Sequence, residues 1–155
     1  MLTGSPEQAV QTLEVVKEVE IAAPMDVVFE CILEQVGPLN EGPDRVPIPM
    51  KLEPWPGGRW FRDLGNNAGH LWGVVQSIRP HDLLELHGPM FMSAPAISHL
   101  LYRLTEEGGV TRIRFSHRAI GQIPEPIRDG VEVNKGWSNH FERLQELVER
   151  RKATR

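Results

Sequence analysis

The chain has 155 residues, a formal net charge of −4 and a single cysteine, Cys31. This length predicts one domain with a sizeable core, and one thiol excludes an intrachain disulfide. Charges of both signs are interspersed, which gives no basic surface for nucleic acid, and no apolar run is long enough to span a membrane. Because the first residues also lack the pattern of a signal peptide, we expect a cytoplasmic protein.

The N-terminal part of the chain predicts one strand followed by one helix. Residues 1–13 are polar and are expected to be a flexible segment before a single domain at 14–151. Alternation of apolar and charged residues over Val15–Ile21 predicts a strand. Pro24 is suited to the start of a helix, and apolar spacing extends that helix over 25–35.

A proline-rich stretch follows at 37–49 and predicts a loop with room for one short helical turn. Thirteen residues is long for a loop in a compact domain, and loops of this length often form the lid or rim of a site. A plain solvated connector is equally compatible with the composition.

Three antiparallel hairpins are predicted next. Two short strands flank the tight turn at 56–58, a second hairpin pairs 70–78 with 83–88, and a third pairs 97–105 with 110–118. The third hairpin has a clear inner face because its other face is occupied by arginines. The inner residues are Leu100, Tyr102, Leu104, Ile113 and Phe115.

The second hairpin leaves one residue unexplained. A regular register gives the pairs Val75–Leu86, Ser77–Leu84 and Gln76–Glu85. That register places Trp72 on the outer face, so either a bulge shifts the strand or another element covers the ring. An outward Trp72 would suggest a homodimer.

The C-terminal segment 134–151 predicts a long amphipathic helix. Its apolar side carries Trp137, Phe141, Leu144, Leu147 and Val148. The opposite, polar side is expected to hold Glu142, Arg143, Glu146, Glu149, Arg150 and Arg151. Strands segregated from this helix predict the α+β class, with a curved antiparallel sheet of six to seven strands wrapped around the helix.

The order of these segments resembles a known superfamily. The resemblance covers about residues 14–151 and rests on the Ala-Pro start of the first helix, PGGRW at 56–60, GVV before Arg79-Pro80, the 106–109 turn and Gly136-Trp137 opening the last helix. The chain is similar to the START-like or Bet v 1-like (SRPBCC) proteins, in the branch related to the activator of Hsp90 ATPase. The resemblance implies a helix-grip fold that encloses a cavity for apolar or aromatic small molecules, and it implies no catalytic residue.

We therefore expect binding of a lipid-like or polyketide-like molecule between the sheet and the last helix. Tyr102 and His117 are expected to supply the polar contacts, with Ser98 as an alternative partner that would make His117 a simple core residue. The candidate ligand-binding residues are Trp55, Trp60, Met90, Met92, Tyr102, Phe115, His117, Trp137 and Phe141. The aromatic stripe of the helix is also compatible with plain core packing.

Other functions are weaker interpretations. A cyclase or aromatase would use His117 as an acid–base group, and a co-chaperone-like protein would act through its surface. His99 is expected to point outward and His117 inward, so the two cannot share a metal, and no metal-binding or dinucleotide motif is present. We expect no cofactor.

Overall fold

The computed structural model describes residues 9–154, so residues 1–8 of the predicted flexible segment lie outside the described part of the chain. Seven strands and two long helices form the domain. They are β1 (Gln11–Ile21), α1 (Met25–Val36), β2 (Lys51–Leu52), β3 (Arg59–Gly65), β4 (Ala68–Arg79), β5 (Leu83–Gly88), β6 (Ala96–Glu107), β7 (Val110–Gly121) and α2 (Val131–Ala153). Short 3₁₀ helices lie at Pro43–Arg45 and Glu125–Ile127.

All seven strands belong to one antiparallel sheet in the order β1-β7-β6-β5-β4-β3-β2. α1 and the long α2 pack against each other and cover the same face of the sheet. The predicted α+β class and the curved sheet around a C-terminal helix are confirmed. β1 begins at Gln11, before the predicted start of the first strand.

The third hairpin has the predicted register. Tyr102 pairs with Phe115 and Leu104 pairs with Ile113, and all four side chains are buried. The arginines of β7 lie on the outer face, where they form ion pairs with glutamates of β1. This separation of apolar and charged faces fixes which side of the sheet receives the helices.

α2 packs along most of its length through the predicted apolar side, with Phe141, Leu144 and Val148 buried. The prediction that Arg143 lies on the polar side is wrong, because this residue is only 9% exposed. Position 143 lies three residues after His140 and four before Leu147, which places it on the side of the helix that faces the core.

A bulge at Gln76 changes the register between β4 and β5. Val75 pairs with Leu86 as predicted, but Ser77 pairs with Glu85, and Leu84 pairs with Ile78. The predicted pairs Ser77–Leu84 and Gln76–Glu85 are therefore wrong. The extra residue turns Ile78 toward the main core, where it packs as a partly buried side chain.

A second bulge explains Trp72. Trp60 pairs with Gly73 and Phe61 pairs with Leu71, so Trp72 is the additional residue of β4. The bulge turns its ring to the inner face beside Trp60, with ring centroids 5.3 Å apart. The outward position that suggested a homodimer does not occur.

Strand β5 approaches β4 unusually closely at this bulge. A Cβ on Gly88 would lie 2.4 Å from the Cα of Gly73, and Gly88 has a φ of +157°. Just beyond, the Met90 backbone N–H donates to the Trp72 carbonyl at 2.8 Å. Gly88 thereby allows Met90 to lie over the bulged strand.

Two groups of buried apolar residues form the interior. The main core joins α1, α2 and the inner face of the sheet, and it includes Cys31, whose thiol pKa is raised by burial. A smaller cluster fills the other end of the sheet with Leu13, Val15, Met92, Ala119, Ile123 and Val133. Buried Cys31 has the environment of a structural thiol.

Candidate ligand-binding site

A cleft of about 390 Å³ lies between the N-terminal half of α2, the loop after α1 and the inner ends of β3 and β4. Most of its wall is apolar. It is lined by Val36, Asn40, Glu41, Gly42, Pro43, Ile48, Trp60, Trp72, Met90, Phe91, Ile127, Glu132, Val133, Gly136, Trp137, His140 and Arg143. This volume is within the usual range for a small-molecule site.

Gly136 helps to keep the space open. It lies on α2 at the cleft, and a Cβ added there would meet no atom within 4 Å. The next large residues of α2 that line the cleft are Trp137 and His140. The helix therefore stands away from β3 and β4 at this position.

Three indole rings border the cleft, and each N–H already has a protein acceptor. Trp60 donates to the Val36 carbonyl at 2.8 Å. Trp72 donates to His70 Nδ1 at 3.1 Å, and Trp137 donates to His117. The indoles thus offer ring surfaces without an unsatisfied donor, which suits contact with an apolar molecule.

His117 is held between two protein partners. The Trp137 N–H donates to its Nδ1 at 2.9 Å, so the ring proton resides on Nε2 and is donated to Ser98 Oγ, also at 2.9 Å. Burial lowers the pKa of His117 to about 4 and keeps the imidazole neutral at pH 7. The contact with Ser98 matches the alternative interpretation, in which His117 is a core residue.

Tyr102 and His140 form a buried polar pair that the sequence analysis missed. The Tyr102 hydroxyl lies 3.1 Å from His140 Nε2, whereas the sequence predicts a polar contact with the ligand. Burial raises the pKa of Tyr102. Burial also lowers the pKa of His140 to about 3, with a further contribution from the positive charge of Arg143. Both groups are neutral at physiological pH.

The structure distributes the nine predicted ligand-binding residues over several places. Trp60, Met90 and Trp137 line the cleft. Beneath it, Tyr102, Phe115 and Phe141 form one packed aromatic group, with His117 beside Trp137. Met92 belongs to the smaller cluster, and Trp55 is 55% exposed. Their role in ligand binding stays a prediction.

Several lining residues were not predicted. Trp72 was missed because a bulge has no clear signal in the sequence. Ile48 and Phe91 were missed because their positions depend on the conformation of loops. His140 and Arg143 had a usable signal: residues 136, 140, 143 and 147 recur at steps of four, three and four, which is the spacing of a helix face toward the core.

A larger depression of about 660 Å³ lies on the opposite, outer face of the sheet. Its lining includes Glu14, Gln76, His99 and Arg118, and it borders a regular strand surface rather than an enclosed space. His99 points outward as predicted and binds Glu85 at 2.6 Å. Within residues 9–154, no group of three or more histidine, cysteine or acidic side chains could hold a metal ion.

The sheet, the gripping helix and the apolar cleft place the molecule in the helix-grip class. Residues 22–149 match the model of the Activator of Hsp90 ATPase homolog 1-like family. The chain belongs to this family. The sequence matches no curated protein.

Solved structures show the same fold at low identity. A protein of Rhizobium leguminosarum is 17% identical with a TM-score of 0.69, over 92% of this chain and 97% of that one. CalU16 from Micromonospora echinospora is 22% identical with a TM-score of 0.61, over 90% and 83%. DynU16, from the dynemicin biosynthetic locus, is 18% identical with a TM-score of 0.64, over 88% and 47%.

Among residues 9–154, neither α1 nor α2 is long and apolar enough to cross a bilayer.

Proposed function

We propose that this protein binds an apolar or aromatic small molecule in the cleft beside α2. The observation that carries the proposal is a space of about 390 Å³ walled by three indoles whose N–H groups all have protein partners. Such a wall favours contact with a hydrocarbon or ring surface, since a ligand leaves no indole donor unpaired.

Two further residues, Met90 and Phe91, contribute to the shape of the cleft. Met90 lies over the Trp72 bulge and can adapt to different ligand outlines because its side chain is unbranched. Phe91 lies at the mouth, where its ring contacts Trp72 edge-on at 6.2 Å.

The contacts of His117 weigh against the cyclase-type alternative. A general acid or base must reach the substrate, whereas both ring nitrogens of His117 bind protein groups and Trp137 separates the ring from the cleft. We therefore propose binding as the activity and assign His117 the role of positioning Trp137.

Substitution of Gly136 tests the site. Gly136→Leu places a side chain in the cleft, whereas Asn139→Leu places the same side chain on the exposed side of α2 as a matched control. The probe is the neutral 2-(2-naphthyl)ethanol, and binding is measured by isothermal titration calorimetry and native mass spectrometry.

We expect the natural chain and Asn139→Leu to bind one molecule of probe, and Gly136→Leu to bind about tenfold more weakly or worse. Equal binding by Gly136→Leu would move the site away from the cleft. Failure of the natural chain to bind this probe and a panel of fatty alcohols and polycyclic phenols would refute the proposal.

A further inference from the structure

We propose that the ligand of this cleft carries a carboxylate, which Arg143 binds at the end of the apolar space. This inference rests on the proposed function and specifies the chemical class of the ligand. Arg143 is a buried, charged side chain in a cleft wall that is otherwise mostly apolar.

Arg143 is buried with few of its hydrogen bonds made. Its side chain is 10% exposed. One terminal N–H, on Nη2, donates to the Glu41 carbonyl oxygen at 3.3 Å. Its Nε has no hydrogen-bond partner within the described chain. A guanidinium has five N–H donors, and one of those of Arg143 has a protein acceptor within the described chain.

The nearest carboxylate compensates this charge only in part. Glu41 Oε1 lies 3.9 Å from Arg143 Nε, which is within the range of an ion pair but too long for a hydrogen bond. Burial lowers the pKa of Arg143, and Glu41 opposes that effect. A buried cation without close hydrogen-bonded pairing is costly, so a second acceptor would stabilise it.

The other polar groups of the cleft are already engaged. Asn40 donates to the Ile48 carbonyl at 3.1 Å, and His140 binds Tyr102. Glu132 lies 3.7 Å from the exposed Lys135. Among the lining residues, Arg143 is therefore the cationic group with donors to spare.

A carboxylate suits this position better than other anions. The planar guanidinium fork matches two carboxylate oxygens in geometry and charge. A single negative charge added beside Arg143 and Glu41 leaves a net charge of about −1 at this end of the cleft, whereas a doubly charged phosphate would leave about −2. The ligand expected is a monocarboxylic acid with an apolar or aromatic body.

A matched pair of probes tests the charge alone. 2-Naphthylacetate and 2-(2-naphthyl)ethanol share one ring system and differ at the end group, and their dissociation constants are compared by calorimetry at pH 7. The variants are Arg143→Met, which keeps an apolar stem, and Arg150→Met, which removes the same charge from an exposed position on α2. Thermal denaturation verifies that each variant is folded.

We expect the natural chain and Arg150→Met to bind the acid about tenfold more tightly than the alcohol. Arg143→Met should lose this preference and bind the acid no more tightly than the alcohol, because the Glu41 carboxylate remains and repels the acid. Glu41→Gln, which removes the competing carboxylate and leaves Arg143 in place, should strengthen binding of the acid several-fold and leave the alcohol unchanged.

The outcomes separate this inference from the proposed function. The role of Arg143 is overturned if the natural chain binds both probes with equal affinity, or if the preference for the acid survives in Arg143→Met. Either result leaves a cleft for apolar molecules. Failure of both probes to bind the natural chain overturns this inference, and the proposed function falls with it if the panel of fatty alcohols and polycyclic phenols also fails to bind. If Glu41→Gln binds the acid more weakly than the natural chain does, Arg143 is not the group that binds the ligand carboxylate.

Discussion

The two halves of α2 differ in how they meet the sheet. Phe141, at the middle of the helix, and Leu144 and Val148 of the C-terminal half are buried in the main core with α1 and β6–β7. The N-terminal half carries Gly136 and borders the cleft. One helix thus serves as a packed core element over part of its length and as one wall of an open space over the rest.

The difference depends on the residues opposite each half as much as on the helix itself. Phe115 of β7 fills the space under the middle of α2, with ring centroids 5.2 Å from Phe141 and 4.5 Å from Trp137. No ring from β3 or β4 bridges the gap to Gly136, where an added Cβ would meet nothing within 4 Å. Trp137 lies at the boundary, packed on Phe115 on one side and lining the cleft on the other.

The largest effect is expected from truncation in the packed half. Phe115→Ala removes a buried ring that contacts three aromatic neighbours, and we expect the free energy of unfolding to fall by about 3–5 kcal/mol. Phe91→Ala, at a ring that is 42% exposed at the cleft mouth, is the control and should cost less than about 1 kcal/mol. Chemical denaturation measures both, and similar losses would contradict the contrast between the two regions.

Acid should destabilise the protein through His117 and His140, which lie at the boundary between the two halves. Their pKa values in the folded state are lowered to about 4 and about 3, against about 6.5 in the unfolded chain. Between pH 7 and pH 5 the unfolded state therefore binds more protons, and stability falls as the pH falls. We expect a loss of about 3 kcal/mol for the two groups together.

The control for this pH effect is His117→Gln, whose amide can replace both hydrogen bonds without titrating. Its unfolding free energy should depend on pH about half as steeply over the same range. An unchanged slope in this variant would show that His117 is not kept neutral by burial.

A smaller effect is expected at the approach between β4 and β5, which forms the sheet side of the cleft. Gly88→Ala would place a Cβ 2.4 Å from the Cα of Gly73, and we expect a loss of about 1–3 kcal/mol in the free energy of unfolding. Because Met90 is fixed next to this approach, binding of the naphthyl probes should weaken too. Full stability of Gly88→Ala would indicate that the bulge can adjust at little cost.

The smallest effect is a gain in stability from the cleft side of α2. Gly136→Ala adds a methyl group to open space in a helix, and we expect the free energy of unfolding to rise by about 0.5–1 kcal/mol. Thermal and chemical denaturation measure this change. Destabilisation by this substitution would mean that the cleft is narrower than the structure shows.

The sequence was sufficient for the parts of the fold that depend on periodicity. The inner face of β6–β7 followed from alternation, because arginines occupy the outer face and one register alone buries Tyr102 and Phe115 together. The apolar side of α2 followed from helical spacing. The family of the whole chain was indicated by the order of the other segments around these two elements.

The cleft depends on features with little periodic signal. Bulges at Trp72 and Gln76 break the alternation on which the second hairpin was predicted. Arg143 was assigned to the polar side because it is charged, although its spacing from His140 and Leu147 places it toward the core. Residue type and residue position gave opposite indications there, and position was the better guide.

The arrangement of the indoles has an optical consequence. Three of the four tryptophans of the chain border the cleft, while Trp55 is exposed in a separate turn. Trp60 and Trp72 also lie within 5.3 Å of each other at an interplanar angle of 81°, close enough for their excited states to interact. The ultraviolet emission and near-ultraviolet circular dichroism of this protein therefore report mainly on the cleft, so that its occupancy could be followed without an attached dye.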